Sequence, residues 1–397
     1  MDFTLSDEQQ QLRDTLVRFV QKDYTFDKRK AILKSPDGYS RAAWKQLADM
    51  GLTALGLPEE HGGLPGNAVD TMVVMEVFGR GLVVEPYLAT VVLGAGLVAE
   101  LGSAAQQAAH LPQVAAGELL LALAHDEPGT RYELNHVAAT AKTPDRNTRG
   151  QAQGDGYALN GTKTVVLHGA QAGKLLVSAR TSGGERDDKG ISLFLVDRNA
   201  PGVTVRDYPT HDGQRAADIT LKNARGELLG KEGQALAAIE HARARAIAAL
   251  CAEAVGCMAA LVEITLSYIK TRKQFGVPIG SFQVLQHRMA DMLMSVEQAR
   301  SMMYLAANRA DSKDVADRRR AIAAAKALVG QAGRFVGQQA VQLHGGIGVT
   351  DEVNVSHYFK RLTLINATFG DADHHLGQFS DLLVTPAEVP ARKSAAA

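Results

Sequence analysis

At 397 residues the chain exceeds what one hydrophobic core ordinarily reaches, so two or three domains are expected. Hydrophobic residues make up 46% and charged residues 22%, the usage of a folded globular protein, and no uninterrupted apolar run reaches the roughly 18 residues of a membrane span. Lys+Arg and Asp+Glu stand at 43 each, which argues against nucleic acid or an anionic membrane as partner and leaves any bound nucleotide to a local site.

The N-terminus, MDFTLSDEQQQLRDTL, lacks a basic segment followed by an apolar run, so no secretory signal is expected and the compartment is read as cytoplasmic. From Thr4 to about Glu118 the pattern is helical. Ser6 as N-cap with Gln9 three residues on forms a capping box, and Leu12, Leu16 and Phe19 follow on one face. Further helices are expected over 41–51, 66–81 and 86–103, separated by the turn-rich LPEEHGGLPG (57–66) and by Pro86. From about 119 to 228 short β-branched runs alternate with Gly, Asp and Asn turns: LLLALAH, HVAATAK, YALNGTKTVVL, KLLVSART, ISLFLVD, VTVRDY and DITLKNA. Their spacing predicts an antiparallel sheet domain. From about 229 to 385 the chain returns to long Ala-rich helices, one over 234–272 and another over 282–309, with Leu285, Met289, Met292, Leu293 and Val296 at helical steps. Cys251 and Cys257 lie six apart in the first of these, with no further Cys to complete a zinc site, and are expected to be buried thiols. The charged run 311–320 is read as a helix connection whose charges mostly face water, and 386–397 as a loose tail.

Four stretches, in this order, make the chain similar to the acyl-CoA dehydrogenases over about 1–384: LGLPEEHGG (55–63), YALNGTKTVVLHGA (157–170), RKQFGVPIGSFQ (272–283) and QLHGGIGVTDE (342–352). The opening, GLVVEPYLATVVLG (81–94) and the DADHHL ending resemble more narrowly the small subunit of the pimeloyl-CoA dehydrogenase type. The resemblance implies an α+β fold: a helical N-domain (1–118), an antiparallel β middle domain (119–228) and a C-terminal four-helix bundle (229–385) that mediates oligomers. It implies FAD, α,β-dehydrogenation of an acyl-CoA, and an electron-transfer flavoprotein as electron acceptor. It also implies that Arg272, Gln274, Phe275, Gln283, Gln342, His344, Gly345 and Gly346 contact the adenosine diphosphate half of FAD across a dimer interface. Elementary chemistry agrees in two places. Adjacent glycines let backbone N–H groups approach a pyrophosphate, and Arg272 at a helix end is free to fork a phosphate.

The family's reaction needs a carboxylate over the substrate α-carbon while the flavin accepts the β-hydride. Aligning HYFKRL (357–362) with the helix that precedes the family's Y-E-G-T run puts Phe369 on the base position. A phenyl ring accepts no proton. The alternative position on the long helix falls on Ala246, also empty. The family's flavin loop appears altered as DEPGTRYE (126–133), and its W-I-T run as Val165-Val166-Leu167. Residues that a subunit gives to its own ring pocket are thus changed, whereas those given to a neighbour's FAD are kept. Two arrangements follow: a base-lacking subunit of a hetero-oligomer, with a second acyl-CoA dehydrogenase subunit as partner, or a self-sufficient homo-oligomer with a displaced base, for which Asp371 is the candidate.

Arg243 and Arg245 lie near the start of the family's acyl-site helix, where either can meet a carboxylate or a CoA phosphate; a surface ion pair is the ordinary alternative. Asp371, Asp373, His374 and His375 offer metal-ligand chemistry. Adjacent histidines on a helix project about 100° apart, however, so no metal is expected and Asp371 or Asp373 is read as the N-cap of a last helix.

Overall fold

The computed structural model describes residues 4–143 and 156–383; the tail expected at 386–397 lies outside them. Helices α1 (Asp7–Asp23), α2 (Phe26–Leu33), α3 (Arg41–Asp49), α4 (Ala68–Gly81), α5 (Gly96–Leu101) and α6 (Ala104–Ala115) form the first part. α1 begins at the capping box expected at Ser6 and Gln9, and buries Leu16 and Phe19. The segment before α5, Leu88–Ala95, is wound as a π-helix rather than an α-helix. The short α2 has no apolar stripe to announce it and starts from a Thr25 cap.

Strands β1 (Leu121–Ala124), β2 (Thr140–Lys142), β3 (Tyr157–Leu167), β4 (Lys174–Arg180), β5 (Ile191–Asp197), β6 (Val203–Pro209) and β7 (Arg215–Leu229) form one sheet. Its ladders are antiparallel apart from the contacts of β4 with β1 and β2, which are parallel. β5 pairs with both β4 and β7, so the sheet curls toward closure, and the long β7 bridges β3, β5 and β6. The inward rows of β4 and β5 are fully buried, as their uninterrupted Leu, Val and Phe content requires.

The last part consists of α7 (Leu236–Thr271), the two-residue strands β8 (Lys273–Gln274) and β9 (Val277–Pro278), then α8 (Gln283–Arg309), α9 (Val315–His344), α10 (Val355–Ala367) and α11 (Ala372–Leu383). α7 is long and apolar enough to cross a membrane, yet most of its surface is buried inside the protein. It crosses α4 at very short range: a Cβ on Gly256 would stand 1.9 Å from the Glu76 carbonyl oxygen, and one on Gly79 2.0 Å from that of Glu253. Cys251 and Cys257 are buried free thiols at this core, and burial pushes Cys251 up to about 12.

The three parts are joined by a buried charge network. Arg361 of α10 forks Glu253 of α7 at 2.5 and 2.6 Å and donates to Asp212, in the β6–β7 turn, at 2.9 Å. Arg29 of α2 donates to the carbonyls of Leu82 and Asp212 and to His357 Nδ1. Arg361, Glu253 and Asp212 are paired and bonded, the condition under which burial is tolerated, while Arg29 is held by two carbonyls and a ring nitrogen.

Candidate active site

The loop between α10 and α11 carries Phe369, and its conformation is set by a lysine. Lys326, fully buried in α9, donates to the carbonyls of Ile365, Asn366, Thr368 and Gly370 at 2.7–2.9 Å. The Ile365 and Asn366 oxygens are left without an intrahelical donor at the end of α10, and Thr368 and Gly370 lie just beyond it, so one ammonium both caps the helix and ties down the loop. The turn places Phe369 at φ 60°, a region that non-glycine residues seldom adopt.

The Phe369 ring lies 4.8 Å from the guanidinium carbon of Arg243. Arg243 is itself buried and donates to Asp126, just past β1, at 3.1 Å. Phenyl ring, guanidinium and carboxylate therefore form a short stack linking the α10–α11 loop, α7 and the sheet. On the inner side, between Leu93, Leu123, Thr164, Val165 and this stack, a small cavity of about 20 Å³ remains, room for about one water. On the outer side a cavity of about 400 Å³ opens between α7, α9, α11 and the 132–135 segment.

The altered loop after β1 is firmly built. Glu127 accepts from Lys163 Nζ at 2.6 Å and from the backbone N–H groups of Ala138 and Ala139, while Lys163 also donates to the His125 carbonyl and Ser178 Oγ. Burial holds the His125 imidazole neutral, its pKa drawn down to about 3. These groups are consumed by one another and offer no free base.

Asp371 caps α11. Its Oδ1 accepts from the His374 N–H at 2.9 Å, and its carbonyl from the His375 N–H. His375 Nε2 donates to the Phe369 carbonyl at 3.0 Å, and burial draws the ring's pKa down to about 3. The acid-and-histidine cluster is thus organised around a helix start, and Asp371 does not line either cavity, whereas Phe369 lines both.

At the far end of α7, residues 272–278 form a tight hairpin, with Phe275 and Gly276 both in the left-handed region as a two-residue turn requires. Arg272, Gln274 and Gln283 are exposed, and Phe275 is 91% exposed. The end of α9 comes to the same place: Tyr268 stacks on His344 at 4.3 Å, and its hydroxyl donates to the His344 carbonyl. Gln342, Gly345 and Gly346 are exposed there, and a Cβ on either glycine would meet nothing within 4 Å, so the backbone is open to a ligand. His344 differs from the others. Its ring is buried and engaged with the Ala340 carbonyl, so it joins α7 to α9 rather than facing outward.

Family models of the acyl-CoA dehydrogenase N-terminal, middle and C-terminal domains match residues 6–118, 122–224 and 233–381 in turn. The Tcur3481–Tcur3483 steroid ACAD is 32% identical over 96% of this chain and 98% of its own, with a TM-score of 0.83. The chain belongs to the acyl-CoA dehydrogenase family. The ChsE4–ChsE5 complex from Mycobacterium tuberculosis is 27% identical over 98% of this chain and 100% of its own, with a TM-score of 0.84. The probable acyl-CoA dehydrogenase YngJ of Bacillus subtilis is 29% identical over 94% of this chain and 97% of its own. The family's cofactor is FAD.

The fit to FAD divides within this acyl-CoA dehydrogenase chain. Hairpin 272–278, Gln283 and the 342–346 segment present an open surface suited to the adenosine diphosphate half. Val165, Arg243 and Phe369 line the small inner cavity. Of the two arginines singled out in α7, Arg243 is in the site. Arg245 points elsewhere, paired with Asp311 at 2.5 Å beside the Gly56–Asn67 loop. In the run 311–320 most charges are exposed, as expected, but the chain is helical from Val315 on, Arg318 is buried against the outer cavity, and Arg319 forks Glu240. Lys326 is absent from the residues singled out in the sequence, although a lone lysine within AIAAAKALVG signals a cation that needs a partner, without saying which.

Proposed function

We propose that this chain is the base-lacking subunit of a hetero-oligomeric, FAD-dependent acyl-CoA dehydrogenase. Its own residues supply the surface for the adenosine diphosphate half of a neighbour's FAD, and the partner supplies ring pocket and base for α,β-dehydrogenation, with electrons passed to an electron-transfer flavoprotein. The observation that carries the reading is Phe369. It stands on the loop between α10 and α11, where the resemblance expects the base, held in place by Lys326 and with its ring packed on Arg243. Two similar structures are named as two-component assemblies, which supports a partner of the same family. The reading with Asp371 as a displaced base has less support, because that carboxylate is committed to capping α11. Expression of the chain alone should yield a colourless or weakly flavinated protein without turnover, and co-expression with its partner a yellow, active complex. A yellow, active homo-oligomer would refute the assignment.

A further inference from the structure

A further small cavity lies where the three parts of the fold meet. It measures about 20 Å³ and is bounded by Phe78 of α4, Glu85 and Tyr87 of the segment leading into the π-helix, His168 just past β3, Glu253 of α7 and Arg361 of α10. Three polar atoms of the residues on its wall have no hydrogen-bond partner among the described residues: Glu85 Oε2, the Tyr87 hydroxyl and His168 Nδ1. All three side chains are deeply buried, at 6%, 1% and 4% exposure. Each is positioned by its other contacts. Glu85 accepts from the Ser40 N–H at 3.2 Å through its second oxygen, the Tyr87 ring stands edge-on to Phe78 at 5.5 Å, and the His168 N–H donates to the Arg215 carbonyl at 2.9 Å. The charged neighbours do not answer them, because Arg361 is committed to Glu253 and Asp212. Voids that stay dry are apolar, and a void ringed by unmet polar atoms is a place for solvent.

We propose that this cavity is a binding site for a single water molecule, which joins the N-terminal helices to the sheet by bridging Glu85, Tyr87 and His168. The space admits one water and nothing larger. Burial raises the Glu85 carboxyl to about 7 and draws the His168 imidazole down to about 4, so both are neutral at about pH 6. A carboxylic acid and a phenol then donate to the water, and the water donates to the imidazole nitrogen. A metal cation would meet the Arg361 guanidinium on the same wall, which leaves water as the ligand that fits. The inference does not depend on which subunit carries the base.

A crystal structure of the full-length protein, with any partner that co-purifies, grown at about pH 6 and reaching about 1.8 Å tests it. One isolated density peak should stand about 2.6–3.2 Å from each of Glu85 Oε2, the Tyr87 hydroxyl and His168 Nδ1. Tyr87→Phe reads the same site through the sign of a melting shift. In a dry void the substitution removes an unmet hydroxyl and leaves the midpoint unchanged or raised, whereas with a bridging water it removes an anchor and should lower the midpoint by about 1 °C or more. No peak, a peak out of reach of any of the three atoms, or a midpoint unchanged or raised in Tyr87→Phe would overturn the proposal. Where Tyr87→Phe does not fold, the density in the parent protein decides alone.

Discussion

Replacing Lys326 by Met keeps the length and apolar stem of the side chain but removes the donors that hold the Phe369 loop. Four carbonyl oxygens, of Ile365, Asn366, Thr368 and Gly370, lose their partner at once. A hydrogen bond from a charged donor contributes about 1.5–3 kcal/mol, and an unmet buried carbonyl costs about 1–3 kcal/mol. Desolvation opposes this: burial draws the Lys326 pKa from 10.5 to about 8, which is about 3 kcal/mol against the charged form. The ammonium has three N–H donors, together about 4.5–9 kcal/mol, so the balance is a net loss of about 1.5–6 kcal/mol, centred near 3–4 and within the range for breaking a buried charged network. Since every 1.4 kcal/mol is a factor of ten, local opening should rise about a hundredfold. Hydrogen exchange read by mass spectrometry should show that loss of protection over 365–375 and none in β4 and β5. Unchanged protection over 365–375 would refute the view that Lys326 fixes the loop.

Three further outcomes are expected. Glu253→Ala, which leaves Arg361 with Asp212 alone, should cost about 3–5 kcal/mol, and an unaltered thermal midpoint would contradict it. Burial raises the Glu85 pKa from 4.5 to about 7, so between these values the unfolded chain has released a proton that the folded one retains. Stability therefore falls as pH rises through that window, by about 3 kcal/mol, and Glu85→Gln should be more stable than the parent at about pH 8 but not at about pH 4. Equal melting shifts at both values would count against this. Arg272→Ala, an exposed change, should lower the FAD affinity of the purified complex about tenfold or more, seen as flavin lost on dialysis; full retention would remove Arg272 from the cofactor surface.

What could be read in advance was what local pattern controls. The capping box at Ser6, the span of α7 and the run Tyr157–Leu167 as β3 follow from periodicity and capping alone. Phe369 was legible only through family resemblance, as an aromatic residue where a base belongs. Its fixation by Lys326 was not, since the bonded carbonyls lie 39–44 positions downstream and nothing local reports them. Arg318 is the buried exception in a mostly exposed run for a related reason: its neighbours Arg319 and Arg320 are surface-like, and only the packing of α9 against α7 and α11 puts it under cover. The π-helical winding of Leu88–Ala95 is likewise invisible to a 3.6-residue pattern.

The central claim is that no carboxylate of this chain acts as the base, and Asp371 is where it is most exposed to failure. Asparagine is as good an N-cap as aspartate, so Asp371→Asn leaves α11 intact while removing the proton acceptor. Acyl-CoA turnover by the purified oligomer carrying Asp371→Asn should match that of the parent within about twofold; a loss of about a hundredfold or more, the size expected for a general base, would contradict the account.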